Sequence, residues 1–276
     1  MSTVTTTIEG RAPALPLSPV ITLAQRRFRL TVRTPRELFV PLLTPILFAL
    51  VIAPALKSAL HTSAAYEAYV ALGTVGLLIP LNTMFSGLAV IVDRDSGAQR
   101  ELLSAPIPRP LLVLGNLLVA LGITAFQVVT LLAVAALRGI TFHATAAGAL
   151  WFAGAAVLLT VAMYGVAETL AGRVPVAEEY IARVPAIAIV PWFLAGSLFP
   201  ISALPAFLAW FARFLPLTHG LALMRYGLLG DAAGLRNIWG MSSVTAMAWL
   251  SLGVVAAFAA LMTAVSIRVF TRSALR

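Results

Sequence analysis

The chain has 276 residues, of which 61% are hydrophobic and 11% charged, with a formal net charge of +9 and a mean hydropathy of +0.98. A soluble domain carries about 25% charged residues, so this composition excludes an ordinary soluble globular domain and points to a polytopic α-helical membrane protein. There is no cysteine, which excludes disulfides, thiolate metal sites and cysteine nucleophiles.

In chain order, the N-terminal "MSTVTTTIEGRAPALPLSP" is polar and lacks the basic-then-apolar pattern of a cleavable signal peptide. The first span is therefore expected to act as an uncleaved insertion signal. Next, "ITLAQRRFRLTVRTPRELF" places Arg26, Arg29, Arg33 and Arg36 at spacings of three and four, on one helical face. Leu23, Ala24, Phe28 and Thr31 fall on or near another face. The segment reads as an interfacial amphipathic helix with its basic side to water and anionic headgroups, or as a topogenic charge cluster; the two are compatible.

Five apolar runs are long enough to cross a bilayer, which needs roughly 20 residues: 38–56, 68–92, 110–137, 144–167 and 238–267. A sixth begins near Val184 and contains Pro185 and Pro191, tolerable where neighbouring helices satisfy the freed carbonyls. Short alternating segments of a transmembrane barrel do not occur. The stretch 196–230 is apolar but broken by Pro200, Pro205 and Pro216, and reads as a seventh span or as a re-entrant or interfacial segment.

Charge decides between them. Six spans with the N-terminus inside leave only Lys57, Arg138, Arg213, Arg225 and Arg236 outside. A seventh would put the terminal "RVFTRSALR" outside, against the positive-inside bias. The expected layout is a cytoplasmic N-terminus with the amphipathic helix over 1–37, a six-span domain over 38–267 and a cytoplasmic tail over 268–276. The region between helices 5 and 6 lies externally, with Trp210, Phe211 and Phe214 at headgroup level and a short helix bracketed by Pro205 and Pro216. The same bias explains the net positive charge without a nucleic-acid partner.

The stretch "VDRDSGAQRELLSAPIPRP", 92–110, clusters Asp93, Arg94, Asp95, Arg100 and Glu101. In hydrocarbon each would cost about 2.5–3.5 kcal/mol, so the stretch belongs in water or against a protein. Gly97 can end the second span. "AQRELLSA" then offers two helical turns stopped by Pro106 and Pro108, with Arg100 and Glu101 outward and Leu102 and Leu103 packing back. Two readings stay open: a solvated topogenic loop, or a short helix that docks on a partner.

Chemistry is sparse elsewhere. A P-loop needs G-x-x-x-x-G-K-[ST], and the only lysine lies in "PALKSAL", so this chain is not expected to hydrolyse ATP by itself. No G-x-S-x-G elbow occurs. His61, His143 and His219 fall in separate external connections without metal-ligand spacing and read as solvated or interfacial. Glu168 and Arg138, near span ends, are expected to reach water. Asn82, Thr83, Ser86, Asn116, Thr124, Gln127 and Thr130 form a weakly polar interior. That interior suits a hydrophobic or amphiphilic substrate, or serves as helix–helix glue.

Two motifs resemble those of ABC-2 type exporter permeases, in particular the daunorubicin-type drug-resistance permeases. That family has a pattern like E-R-x-x-G-T-L-E-x-L-x-x-T-P-x-x-R after span two. Here "DRDSGAQRELLSAPIPR" supplies Asp93, Arg94, Gly97, Leu102 or Leu103, Pro106 and Arg109. After span five the family has F-P-x-x-x-L-P, then P-L-T and an Arg. Here stand Phe199-Pro200, Leu204-Pro205, Leu215-Pro216-Leu217-Thr218 and Arg225. The departures are Ala98-Gln99 for Thr-Leu, Gly196-Ser197 for Ser-Gly and Ala105 for Thr.

The resemblance implies a non-catalytic half-transporter in a bacterial plasma membrane. It would pair with a second permease chain, as homo- or heterodimer, and with ABC ATP-binding subunits that carry the ATP and Mg; this chain itself would hold no cofactor or metal. It further implies an ATPase-coupling surface of Arg26, Arg29, Arg33, Asp93, Arg94, Asp95, Arg100 and Glu101. An external cap motif would comprise Phe199, Pro200, Leu204, Pro205, Pro216 and Arg225. The implied cargo is a hydrophobic drug, antibiotic or lipid-like compound; export of a polysaccharide or glycolipid is the alternative within transport, and a non-transporting immunity or assembly factor the alternative outside it.

Overall fold

Long apolar runs with few charges have one stable solution, helices that satisfy their own backbone and pack side by side. The computed structural model describes residues 17–33, 39–40, 42–43, 46–59, 61, 64–99, 104 and 108–273. Among these every regular element is helical and there is no strand.

The chain starts with α1 (Leu17–Arg33). Residues 46–59 are helical, passing through a π-turn at Phe48–Ile52 into α2 (Ala53–Ala59). The remainder of the span expected over 38–56 lies partly outside the described residues. Then come α3 (Ala64–Asp95), α4 (Arg109–Leu137) and α5 (Ala146–Ala171). A continuous helical path follows, made of α6 (Ala177–Val184), a π-turn at Pro185–Ile189 and α7 (Val190–Leu194). Short helices α8 (Ala206–Ala212), α9 (Pro216–Leu229) and α10 (Ala233–Trp239) lead to α11 (Val244–Ser273).

Among the described residues four helices, α3, α4, α5 and α11, are long and apolar enough to cross a membrane. The pair α8 and α9 passes the same test together, but bends by 79° at its break, which makes up to five candidate spans. The bend has a local cause. Pro205 and Pro216 each sit just before or at a helix start, where a missing N–H costs nothing. The expected short helix after Pro205 is there, and Pro216 opens a second helix rather than closing the first.

The helices alternate in direction, which defines two ends. Asp93 meets Arg27, and Arg109 meets Thr271, so α1 and the ends of α3, α4 and α11 share one end. At the other, Arg138 reaches Leu50 and the His143 N–H donates to Leu228.

The central element is α3. From Val70 to Pro80 every residue is buried, as expected of a helix that is apolar all round. Leu72, Val75, Leu78 and Ile79 join Trp192, Leu221, Met224 and Val255 in the main core. A smaller cluster around Met84, Ile91 and Tyr180 fixes α6 against α3, and the Tyr180 hydroxyl donates to Met84 O at 2.8 Å. Small residues allow the closest approach. A Cβ on Gly148 would lie 2.1 Å from Gly227 O, and one on Gly227 2.4 Å from Gly148 O, so α5 and α9 touch backbone to backbone.

Two expectations about polar residues need correction. Glu168 does not reach water: it is 2% exposed and accepts the Tyr164 hydroxyl at 2.8 Å, because α5 runs on to Ala171 and keeps it inside the bundle. His219 is likewise not solvated. Its Nε2–H donates to Arg213 O at 2.8 Å, and Nδ1 lies 3.1 Å from Ser251 Oγ, which also accepts Trp239 Nε1–H. The bend between α8 and α9 folds this histidine inward, where it ties the corner to α10 and α11.

Candidate functional site

At the α1 end, arginines act as fasteners. A helix C-terminus leaves carbonyls without intrahelical partners and carries partial negative charge. Arg94 fills that role for α5: its guanidinium donates to Ala171 O at 3.2 Å, Val174 O at 3.1 Å and Pro175 O at 2.6 Å. It also pairs with Asp95 at 3.3 Å. Arg109 does the same for α11 through Thr271 O at 3.3 Å. Arg27 pairs with Asp93 at 3.0 Å and so anchors α1 to α3. Leu23 packs with Leu112, Val113 and Phe270 beneath it.

Helix α1 has three faces. At about 100° per residue, Leu23, Ala24 and Arg27 form an inward, half-buried stripe. Arg26, Arg29 and Arg33 form an exposed basic stripe. Ile21, Phe28 and Val32 form an exposed apolar one. The three are roughly 120° apart, the arrangement of a helix lying in a membrane surface against a protein wall.

Of the sequence-expected coupling residues, Arg26, Arg29, Arg33 and Asp95 are exposed here, while Asp93 and Arg94 are committed to internal contacts. Arg100 and Glu101 lie outside the described residues, as does most of the helix expected over "AQRELLSA". Sequence reasoning missed Arg27. It also missed Glu178 and Glu179, which are exposed on the first turn of α6 at the same end. The signal was there: "PVAEEYIAR" is a proline followed by an amphipathic turn.

At the opposite end a second assembly surrounds Arg225, which is 3% exposed. Its Nη1 donates to Gly196 O at 2.8 Å, and its Nη2 to Ser197 O at 2.9 Å and Tyr69 O at 3.2 Å. Its Cζ sits 3.4 Å from the centre of the Tyr69 ring. The turn it grips is held from other sides too. Tyr69 Oη donates to Gly196 O at 2.7 Å, Tyr66 Oη to Leu198 O at 3.0 Å, and Ser197 Oγ to Trp192 O at 2.7 Å. Gly196 takes φ +81°, which favours glycine. A Cβ on Gly73 would come within 2.1 Å of Ser197 O, so α3 also needs a glycine facing the turn.

Of the other cap-motif residues, Phe199 is exposed, Pro200 opens a 3₁₀ turn at Ile201–Ala203, and Leu204 packs on the main core. Pro205 and Pro216 set the starts of α8 and α9. The motif is thus a latch: Arg225 on α9 clasps the 196–198 turn to α3. Tyr69 and Trp192 complete it, and neither was singled out from sequence. Among the described residues no group of three or more histidines, cysteines or carboxylates is placed to hold a metal ion.

An all-helical multi-pass membrane protein, with charge concentrated at one end and an arginine latch at the other, is the class that this geometry defines. The family described as ABC-2 type transporter matches residues 19–229, and the chain belongs to it. It is a membrane permease component, a non-catalytic subunit, and that membership implies an ATP-binding partner subunit. Comparison with curated proteins returned no match.

Proposed function

We propose that this chain is the permease of an ATP-driven exporter for a hydrophobic drug, antibiotic or lipid-like compound. Under this reading it crosses the bacterial plasma membrane six times, the path 46–59 and the path 177–194 being the first and fifth crossings. Both termini are cytoplasmic, which places the α1 end inside. It pairs with a second permease chain, and the ATP-binding subunits, with their ATP and Mg, dock at the α1 end.

The observation that carries the proposal is the fastening of that end. Arg27 and Arg94 tie α1, α3 and α5 together, Arg109 ties α4 to α11, and Leu23 of α1 packs with Leu112 and Phe270 to join the two groups, while Arg26, Arg29 and Arg33 stay exposed beside them. A push on α1 is therefore delivered to several helices at once. The Arg26→Glu, Arg29→Glu, Arg33→Glu variant tests this: it should insert normally, yet recover less ATP-binding subunit on co-purification and stimulate its ATPase less. Unchanged recovery and unchanged stimulation would contradict the assignment.

A further inference from the structure

A slot of about 300 Å³ opens beside α3 at the α1 end. Arg27 forms its mouth and Asn82 its floor, where the Asn82 amide donates to Thr124 Oγ1 and closes it. Its walls are mainly apolar, from Leu88 and Ala89 on α3 and Val119, Ala120 and Ile123 on α4. From the Arg27–Asp93 pair to Asn82 is eleven residues of helix, about 16 Å at 1.5 Å each. That is half the roughly 30 Å hydrocarbon thickness. With the Arg27–Asp93 pair at the membrane surface, the slot would reach the bilayer midplane.

Its opening faces sideways. Phe85 and Val92, one heptad apart on α3, are exposed, and so is Val40 on the lining. Under the membrane placement proposed above, this face opens to lipid. Left empty, a slot of this size forfeits dispersion contacts along its apolar walls; its polar lining is Arg27, Asn82, Ser86, Asn116 and Tyr164.

Arg27 lines the slot, and the exposed basic stripe of Arg26, Arg29 and Arg33 lies about 120° further round the same helix. Helix α1 holds Arg26, Arg27, Arg29 and Arg33 and no acidic residue. Asp93 is neutralised by Arg27, and the Glu168 carboxylate lies behind Tyr164, whose hydroxyl it accepts. Ile21, Phe28 and Val32 place α1 at headgroup depth.

We propose that the slot holds one acyl chain of an anionic phospholipid, drawn from the leaflet on the α1 side, with the phosphate against the arginines of α1. That leaflet is the cytoplasmic one under the orientation proposed above; the chain contact itself does not depend on that reading. A lipid seated there bridges α1 to α3 and α4, so leaflet composition sets how firmly α1 is held.

The test uses the full chain in phosphatidylcholine nanodiscs containing trace phosphatidylglycerol with a photoreactive acyl chain, the cross-linked peptides being mapped by mass spectrometry. Cross-links should concentrate on 82–92 and 116–123, and excess unlabelled phosphatidylglycerol should compete where phosphatidylcholine does not. Ala120→Phe should remove those cross-links by filling the slot. Arg26→Gln, Arg29→Gln, Arg33→Gln should lower them by at least about fivefold, from the attraction of juxtamembrane arginines for anionic lipid. Cross-links spread evenly over all lipid-facing helices, or equal competition by both lipids, would overturn the proposal. The competition arm needs no variant, so a misfolded substitution leaves it intact. Failure of ATPase co-purification would leave the cross-linking result untouched and would bear on the exporter reading alone.

Discussion

Replacing Arg225 with methionine should unlatch the turn at 196–198. The loss can be worked from the contacts. Ser197 O and Tyr69 O each lose a charged donor, at about 1.5–3 kcal/mol apiece. The stacking on Tyr69 contributes about 2 kcal/mol when desolvated. Gly196 O keeps the Tyr69 hydroxyl and loses less. Against this, the buried guanidinium no longer has to be desolvated, a relief of several kcal/mol. The balance is about 3 kcal/mol, or roughly 150-fold in the opening equilibrium at 1.4 kcal/mol per tenfold. The chain has no cysteine, so a single Ser197→Cys substitution gives a clean probe at a fully buried position. Its labelling rate by a membrane-impermeant maleimide should rise with Arg225→Met. Arg225→Lys should also raise it, because a single ammonium nitrogen replaces the two guanidinium nitrogens that reach the carbonyls and the plane that stacks on Tyr69 is lost. Arg213→Met, at an exposed position, should leave it alone. An unchanged rate in Arg225→Met would refute the latch.

Other consequences are more local. Gly227→Ala puts a methyl within 2.4 Å of Gly148 O and should abolish a monodisperse peak in fluorescence-detected size exclusion. Gly122→Ala meets nothing within 4 Å and should be neutral, or stabilising by about 0.5–1 kcal/mol as a mid-helix glycine is removed. A double-mutant cycle on Arg27→Ala and Asp93→Ala should give a coupling of about 1 kcal/mol in thermal unfolding, near the upper end for partly exposed pairs; strict additivity would show that the pair holds nothing. Arg94→Ala frees the Ala171, Val174 and Pro175 carbonyls and should speed proteolysis between α5 and α6 without blocking membrane insertion.

Much of the bundle was legible because hydrophobic length is a one-dimensional property. The runs at 110–137, 144–167 and 238–267 correspond to α4, α5 and α11, and the prolines at 205 and 216 do mark helix starts. The spacing of Arg26, Arg29 and Arg33 gave their shared face. What spacing cannot tell is which face meets another helix. Arg27 differs from its neighbours only in pointing at Asp93, a partner 66 residues away. Arg225 looked like an external motif residue, and its burial depends on three carbonyls brought in from α3 and the turn after α7. His219 was misjudged for the same reason, since Ser251 and Trp239 come from other helices; Glu168 was misjudged because α5 continues to Ala171 and keeps it, with Tyr164 one turn before it, inside the bundle.

The central claim is that this permease moves an amphiphilic compound when an ATP-binding subunit acts on its α1 end. ATP-dependent accumulation in inverted membrane vesicles, with both subunits present and a panel of hydrophobic and lipid-like compounds, tests it most directly. The account predicts uptake of at least one such compound, lost without ATP and sharply reduced by the α1 charge reversal. An assembled complex that turns over ATP yet accumulates no member of the panel would contradict it.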